Sequence, residues 1–267
     1  MIYSTVNRAS RPFLVAAFIA MAIMVVFSGT AFAQGRPLRA GVGKGINLSD
    51  AQRQKLQRHI KESRKRTAGV VRELLQARTT LFNQLQDYKV DENQLQESVR
   101  KINGLQIRLH NIGLENQLKL RSILTKSQFA QLGEAVSGNG VGRHIHGWPT
   151  GNGGLIGENL KRLDITSAQQ EKIKRLFVKS RSTMQSISQE LRQNAQSLHR
   201  LYLNYDLDPQ EAKTLIAKLG KTQRKAMNAT VSRQLALREI LTRQQFETLS
   251  QTMRPPTAPR WQNGRGK

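Results

Sequence analysis

The sequence predicts an all-α protein built from two tandem, long antiparallel helical hairpins, each followed by a short helix. Three observations carry this. Apolar residues recur at helical spacing from Leu56 through Ile60, Val70, Leu74, Leu81 and Leu85, and again from Leu95 through Val99, Ile102, Leu109 and Leu120; each set forms a stripe about 100° wide, as an amphipathic helix requires. The motif Leu124-Thr125-Lys126-Ser127-Gln128-Phe129 returns as Leu241-Thr242-Arg243-Gln244-Gln245-Phe246, with looser echoes at Leu48-Ser49-Asp50-Ala51-Gln52 and Ile165-Thr166-Ser167-Ala168-Gln169. Adding 117 to the residue number maps Leu48 onto Ile165, Glu73 onto Glu190, Tyr88 onto Tyr205, Asp91 onto Asp208 and Leu124 onto Leu241 without a gap. That is an internal repeat.

Each copy of the motif marks a helix start. A Ser or Thr followed three residues later by Gln is a capping box, in which the hydroxyl and the Gln side chain each satisfy a backbone N–H. The Leu or Ile before it opens a hydrophobic staple that Phe129 and Phe246 would close. The motif is therefore read as architecture.

Taken in order, residues 1–33 are a signal peptide. Arg8 and Arg11 precede an apolar run from Phe13 to Phe27, and Ala31-Phe32-Ala33 is a small-x-small cleavage site. Cleavage after Ala33 into the periplasm is expected. Residues 34–47 form a flexible Gly- and Arg-containing leader, and module 1 follows over 48–132. Its first helix is expected to end near Lys89, with a bend at Gly69. Asp91 then caps the second helix, with Gln94 at the box position. The helix after Leu124 should be short, with Phe129 and Leu132 turned inward. Glycines punctuate a linker over 133–163. Module 2 spans 164–252, where Asp208, Pro209 and Glu211 make a cap, a first helical position and a box. Residues 253–267 are a basic Pro- and Gly-containing tail.

The composition restricts function. The 267 residues include 43 Lys+Arg, 18 Asp+Glu and no Cys, so disulfides, thiol nucleophiles and thiolate metal sites are excluded. Loss of Arg8 and Arg11 with the signal peptide lowers the basic count to 41 and the net charge from +25 to +23. A magnitude of about 2–8 suffices for the solubility of a small domain, so the excess points to an anionic partner. Nucleic acid would fit the charge, but export argues against it. No phosphate loop, nucleophile elbow or H-E-x-x-H is present. The protein is not expected to be an enzyme or to carry a cofactor.

A signal-bearing helical chain with paired L-T-x-x-Q motifs flanking long hairpins resembles the Spy/CpxP family of periplasmic proteins. Leu124-Thr125-x-x-Gln128 and Leu241-Thr242-x-x-Gln245 match in full, and Leu48-Ser49-x-x-Gln52 and Ile165-Thr166-x-x-Gln169 match with conservative changes. The resemblance implies an ATP-independent chaperone that binds unfolded or aggregation-prone polypeptides on a basic, partly apolar concave face of an antiparallel dimer. It also implies an alternative, because other members of the wider superfamily are stress or metal sensors. Two modules in one chain depart from the usual pattern. They suggest an intramolecular pseudo-dimer; the Gly-rich linker also permits independent modules, and a homodimer is the other arrangement.

Positions basic in both modules are the candidate client contacts: Arg58 and Arg175, Arg64 and Arg181, Arg121 and Arg238, with Lys55/Lys172 and Lys101/Lys218. Such a face attracts acidic polypeptides at long range, and it equally suits anionic lipid or lipopolysaccharide, so a structural protein binding anionic envelope polymers is a further alternative. Gln106, Gln117, Gln223 and Gln234 fall on the apolar stripes and offer neutral donors and acceptors to a client backbone. His144 and His146 are the sole paired histidines in the sequence. Two ligands make an incomplete zinc site, and no metal centre is expected from them.

Overall fold

The computed structural model describes residues 47–138 and 163–252, and these form six helices with no strand among them. They are α1 (Asp50–Gln86), α2 (Glu92–Ile123), α3 (Lys126–Gly138), α4 (Ser167–Leu203), α5 (Pro209–Ile240) and α6 (Arg243–Thr252). The expected all-α architecture of two tandem hairpins, each with a short third helix, is the one observed. No helix of the described residues is long and apolar enough to cross a membrane. The expected signal peptide, nearly all of the expected leader, most of the linker and the tail lie outside the described residues.

Both first helices start on complete capping boxes. Ser49 accepts from Gln52 N and Thr166 from Gln169 N, while each Gln returns a bond to the cap N–H. The second helices start differently from the expectation. Asp91 accepts from Asn93 N at 2.9 Å and Asp208 from Gln210 N at 2.8 Å, so neither uses the residue at the box position. A short carboxylate reaches the second helical N–H by itself. α1 also stops three residues before Lys89. The Asp87 carboxylate takes the Lys89 N–H at 2.9 Å and competes with continuation of the helix. At Gly69, where a bend is expected from the sequence, α1 continues as one helix. In α3 the helix passes Gly133 and runs to Gly138, beyond the expected edge of the linker. Leu163, at the linker's far edge, is buried in a core cluster with Ile173, Leu237, Leu241, Phe246 and Leu249.

Within each module the two long helices bury matched stripes. Val70, Leu74 and Ala77 of α1 meet Ile102, Leu105, Leu109 and Ile112 of α2. Ile187, Leu191 and Leu198 of α4 meet Ala212, Ile216 and Leu219 of α5. The modules then share their cores. Leu114 of α2 belongs to the α4–α5 cluster, and Val231 of α5 packs with Leu95 and Val99 of α2. These contacts put α2 and α5 side by side and antiparallel.

Gly220 marks their closest approach. A Cβ built there would sit 2.7 Å from Ile107 Cγ1 and 2.8 Å from Ile107 Cδ1. Gly220→Val is therefore expected to destabilise the chain by about 1–3 kcal/mol through overpacking. The check is urea denaturation of Gly220→Val beside Gly104→Ala, whose Cβ meets nothing within 4 Å and which should not lower the midpoint.

The ends of the hairpins interlock across the modules. Tyr88, in the turn of module 1, stacks edge-on against Phe246 of module 2 at 5.7 Å between centroids. Tyr205, its repeat equivalent, does the same with Phe129 of module 1 at 5.6 Å. Leu48 and Tyr205 join the Ile123, Leu124 and Phe129 cluster, while Tyr88 and Ile165 join the cluster around Phe246. The two modules are thus related by a pseudo-two-fold axis, with each turn seated on the capping motif of the other.

Candidate functional site

The four capping motifs do more than start helices. Gln52 Nε2 donates to Gln128 Oε1 at 2.9 Å and to the Ile123 carbonyl at 2.8 Å. Gln128 Nε2 donates to Gln52 Oε1 at 3.2 Å and to the Asn47 carbonyl at 2.6 Å. Each Oε1 also accepts its own cap N–H, from Ser49 and Thr125, at 3.0 Å. Two amides facing each other thereby use every donor and acceptor position they have. Gln169 and Gln245 repeat the pair in module 2, at 2.8 Å, with Ile240 and Asp164 as the outer carbonyls. Leu241 and Thr242 sit as Leu124 and Thr125 do: each Thr hydroxyl accepts from the Gln N–H at 3.3 Å. The motif joins both ends of its hairpin into one closed unit. Its paired Gln amides have no position left for a ligand.

Arg121 and Arg238, two of the candidate client contacts, are engaged by the fold. Arg121 donates to the carbonyls of Tyr202, Asn204 and Tyr205, and to Gln117 Oε1 at 2.9 Å. Its guanidinium also lies 4.3 Å from the Phe129 ring centroid. A cation at the C-terminus of α4 offsets the helix dipole, and burial holds its pKa below the usual guanidinium range. Arg238 reaches the Val90 carbonyl at 3.2 Å in the mirrored place. Both are clamps between modules.

The glutamines divide in the same way. Gln106 and Gln223 are 5 % and 3 % exposed, so they cannot offer their amides to a client. Gln117 and Gln234 are half-buried, and Gln117 is bonded to Arg121. Helical periodicity located all four on the inner stripes but could not say which of them are buried in the folded chain.

Beside Gln223 sits a mostly buried histidine. Gln223 Nε2 lies 3.3 Å from His110 Nε2, so a neutral ring with its proton on Nδ1 accepts from the amide. Burial pushes the His110 pKa down from 6.5 to about 4. The neutral form is favoured in the folded chain. This stability is complete above 6.5 and drains away as pH falls towards 4. Lowering the pH from 7.5 to 5 should therefore cost about 2 kcal/mol at this group. His110→Met, which copies its repeat equivalent Met227, should flatten that pH dependence in a thermal melt series.

The remaining repeated cations stand in solvent. Lys55, Arg58, Arg64 and Lys101 in module 1 are exposed, as are Lys172, Arg175, Arg181 and Lys218 in module 2. Among the described residues only Arg175 of this set has an ion-pair partner, Glu171 at 3.3 Å along the same helix. Exposed pairs of that kind contribute little, so the field of the outer helices is barely neutralised. His144 and His146 lie outside the described residues. Among those described, no group of three or more His, Cys, Asp or Glu converges as a metal ion would need.

No curated protein and no solved structure matches the chain. The profile of one family matches it twice in tandem, over residues 13–131 and 132–248, and the two matches account for the two structural modules. By that double match the chain belongs to the heavy-metal-resistance family.

Proposed function

We propose that this chain is an exported, ATP-independent chaperone-like protein that holds unfolded or aggregation-prone polypeptides on its outer helical surface, as the Spy/CpxP resemblance implies. The observation that carries the reading is the exposed and largely unpaired basic surface of α1 and α4 on a chain of net charge +25. Long-range attraction raises the encounter rate with acidic, unfolded chains and weakens as salt screens it. Exposed Leu75, Val178 and Leu203 supply modest apolar contact after encounter. Weak holding of this kind lets a client leave as it buries its own apolar surface.

The test is suppression of aggregation of an acidic, chemically unfolded client without ATP. Suppression near equimolar ratio in low salt that weakens at high salt is expected. Unchanged aggregation at severalfold excess would overturn the reading.

The family description favours a second reading, a metal-responsive regulator. Since the described residues converge no donor set, this reading draws on His144 and His146. Calorimetry of the mature chain with Zn²⁺, Cu²⁺ and Ni²⁺ separates the two. Micromolar binding abolished by His144→Ala/His146→Ala supports the regulator, and no heat below millimolar metal removes it.

A further inference from the structure

Arg78 of α1 is a cation enclosed without an anion. Its Nε and Nη2 nitrogens are shut off from solvent, and neither has a hydrogen-bond partner. Among the described residues it joins no ion pair. Burial lowers its pKa from 12.5 to about 10, so the guanidinium is still charged at neutral pH. Arg121 differs, because it spends its donors on three carbonyls of the other module. An enclosed charge with unused donors costs stability. The fold has no use for this one, since the repeat equivalent of Arg78 is Ala195.

The packing places Arg78 in the seam where α1 leans on α5. Val71 lies two turns before it and Leu85 two turns after it, on one stripe of α1. Val71 and Met227 of α5 pack on one core cluster, and Leu85 and Met227 on the next. Glu73 with Arg108 at 3.9 Å and Ser98 with Gln84 at 2.7 Å set the register of α1 and α2. Arg78 then lies level with Asn103. Gly220 against Ile107 and Gln223 against His110 set the register of α2 and α5, which puts Gln106 level with Gln223. A helical side chain leans towards the N-terminus of its helix, so the Arg78 head reaches the level of these two amides. Both are buried, and the Oε1 of each is unpartnered, as is Asn103 Oδ1. Unused polar atoms on three helices make a seam that accommodates a charged group better than the apolar core around it.

The acids of the chain lie elsewhere. Glu73 is turned about 140° round α1 from Arg78, towards Arg108. The acids of α5, Glu211 and Glu239, stand at its two ends, and α2 has none between Glu97 and Glu115.

We infer that the Nε/Nη2 edge of Arg78 is a binding site for one carboxylate, in the seam of α1, α2 and α5. That edge presents two parallel N–H groups at the spacing of the two carboxylate oxygens. A single cation favours a monoanion, because a doubly charged phosphate would bury one charge without a counter-charge. Arg78 as a residue is half-buried, so the fork lies near the surface. The inference goes beyond the chaperone-like reading and does not need it. An acidic side chain of a polypeptide and a free small carboxylate share this chemistry.

The test is a thermal melt series of the mature chain in sodium acetate and in sodium chloride at equal ionic strength. Acetate should raise the midpoint of the wild type about 2–4 °C more than that of Arg78→Met. In chloride Arg78→Met should melt higher than the wild type, having lost an unpaired buried charge. Arg78→Lys keeps the charge without the fork and should show less than half of the acetate effect. Lys213→Gln, at an exposed position of α5, should show all of it. A second readout is the Nε–Hε cross-peak of Arg78 in NMR spectra, assigned by its loss in Arg78→Lys, which should move with acetate. N-acetylglutamate α-amide acting at about tenfold lower concentration than acetate would assign the site to acidic polypeptide side chains; equal potency would assign it to free carboxylates. An acetate effect as large in Arg78→Met as in the wild type, or the same cross-peak shift with chloride, would overturn the site. Phosphate acting at lower concentration than acetate would overturn the choice of carboxylate. A ligand-free Arg78→Met that melts several degrees below the wild type would show that the fold itself holds the guanidinium, and would overturn the proposal. None of these outcomes decides the aggregation assay, so the chaperone-like reading stands or falls separately.

Discussion

Arg121→Met is expected to lower stability by about 2–3 kcal/mol, read as a shift in denaturant midpoint. One side chain from module 1 closes the C-terminus of α4 in module 2 through the Tyr202, Asn204 and Tyr205 carbonyls. Met preserves much of the apolar stem and removes every one of those bonds. Arg121→Lys should recover only part of the loss, because an ammonium keeps the charge but not the fork that spans three carbonyls. A change below about 0.5 kcal/mol, the scale of an ordinary surface substitution, would show that the clamp contributes nothing. Function should follow stability here, since Arg121 is half-buried and bonded to the carbonyls of the other module.

Phe246→Ala should be costlier still, at about 3–5 kcal/mol. The ring is 1 % exposed and packs among Leu163, Ile173, Leu237, Leu241 and Leu249. It also meets Tyr88 of the other module edge-on. The substitution therefore removes core volume in module 2 and one of the two aromatic contacts that seat a turn on its partner. Two unfolding transitions in place of one are the expected signature in a chemical melt followed by tyrosine fluorescence. A single transition at an unchanged midpoint would contradict the shared core. Phe129→Ala tests the mirrored site, where the ring is 8 % exposed and the loss should be smaller.

Much of this architecture is legible in the residues. The spacing from Leu56 to Leu85 defines α1, and Ser49 with Gln52 defines its start, because helix periodicity and caps are local properties. What lies across the repeat is not local. Gln52 and Gln128 each read as a box glutamine, yet their amides also pair with one another, and only the folded hairpin brings them together. Arg121 reads as surface charge on its own helix. Its carbonyl partners sit more than eighty residues away, at the end of a helix that offers them only once the modules dock. The repeated trio of Tyr88/Tyr205, Arg121/Arg238 and Phe129/Phe246 was the available signal, since three unrelated residue types at equivalent positions imply a shared structural task. Gly133 misled in the other direction. One glycine costs a helix only about 1 kcal/mol, and α3 continues past it.

The surface was harder to read than the core. Charge alone marked Arg58, Arg64, Arg121 and their equivalents alike, although Arg58 and Arg64 are exposed and Arg121 is half-buried.

The central claim is that one chain builds a single unit by docking its own two modules. The absence of cysteine makes this direct to measure, because spin labels attach only where cysteine is introduced. Labels at Asn83 near the end of α1 and Lys172 near the start of α4, both exposed, report on the end where Tyr88 meets Phe246. In double electron–electron resonance, one short distance that survives tenfold dilution with unlabelled chain is predicted. A short distance that vanishes on dilution, or a broad distribution at every ratio, would contradict docking within the chain.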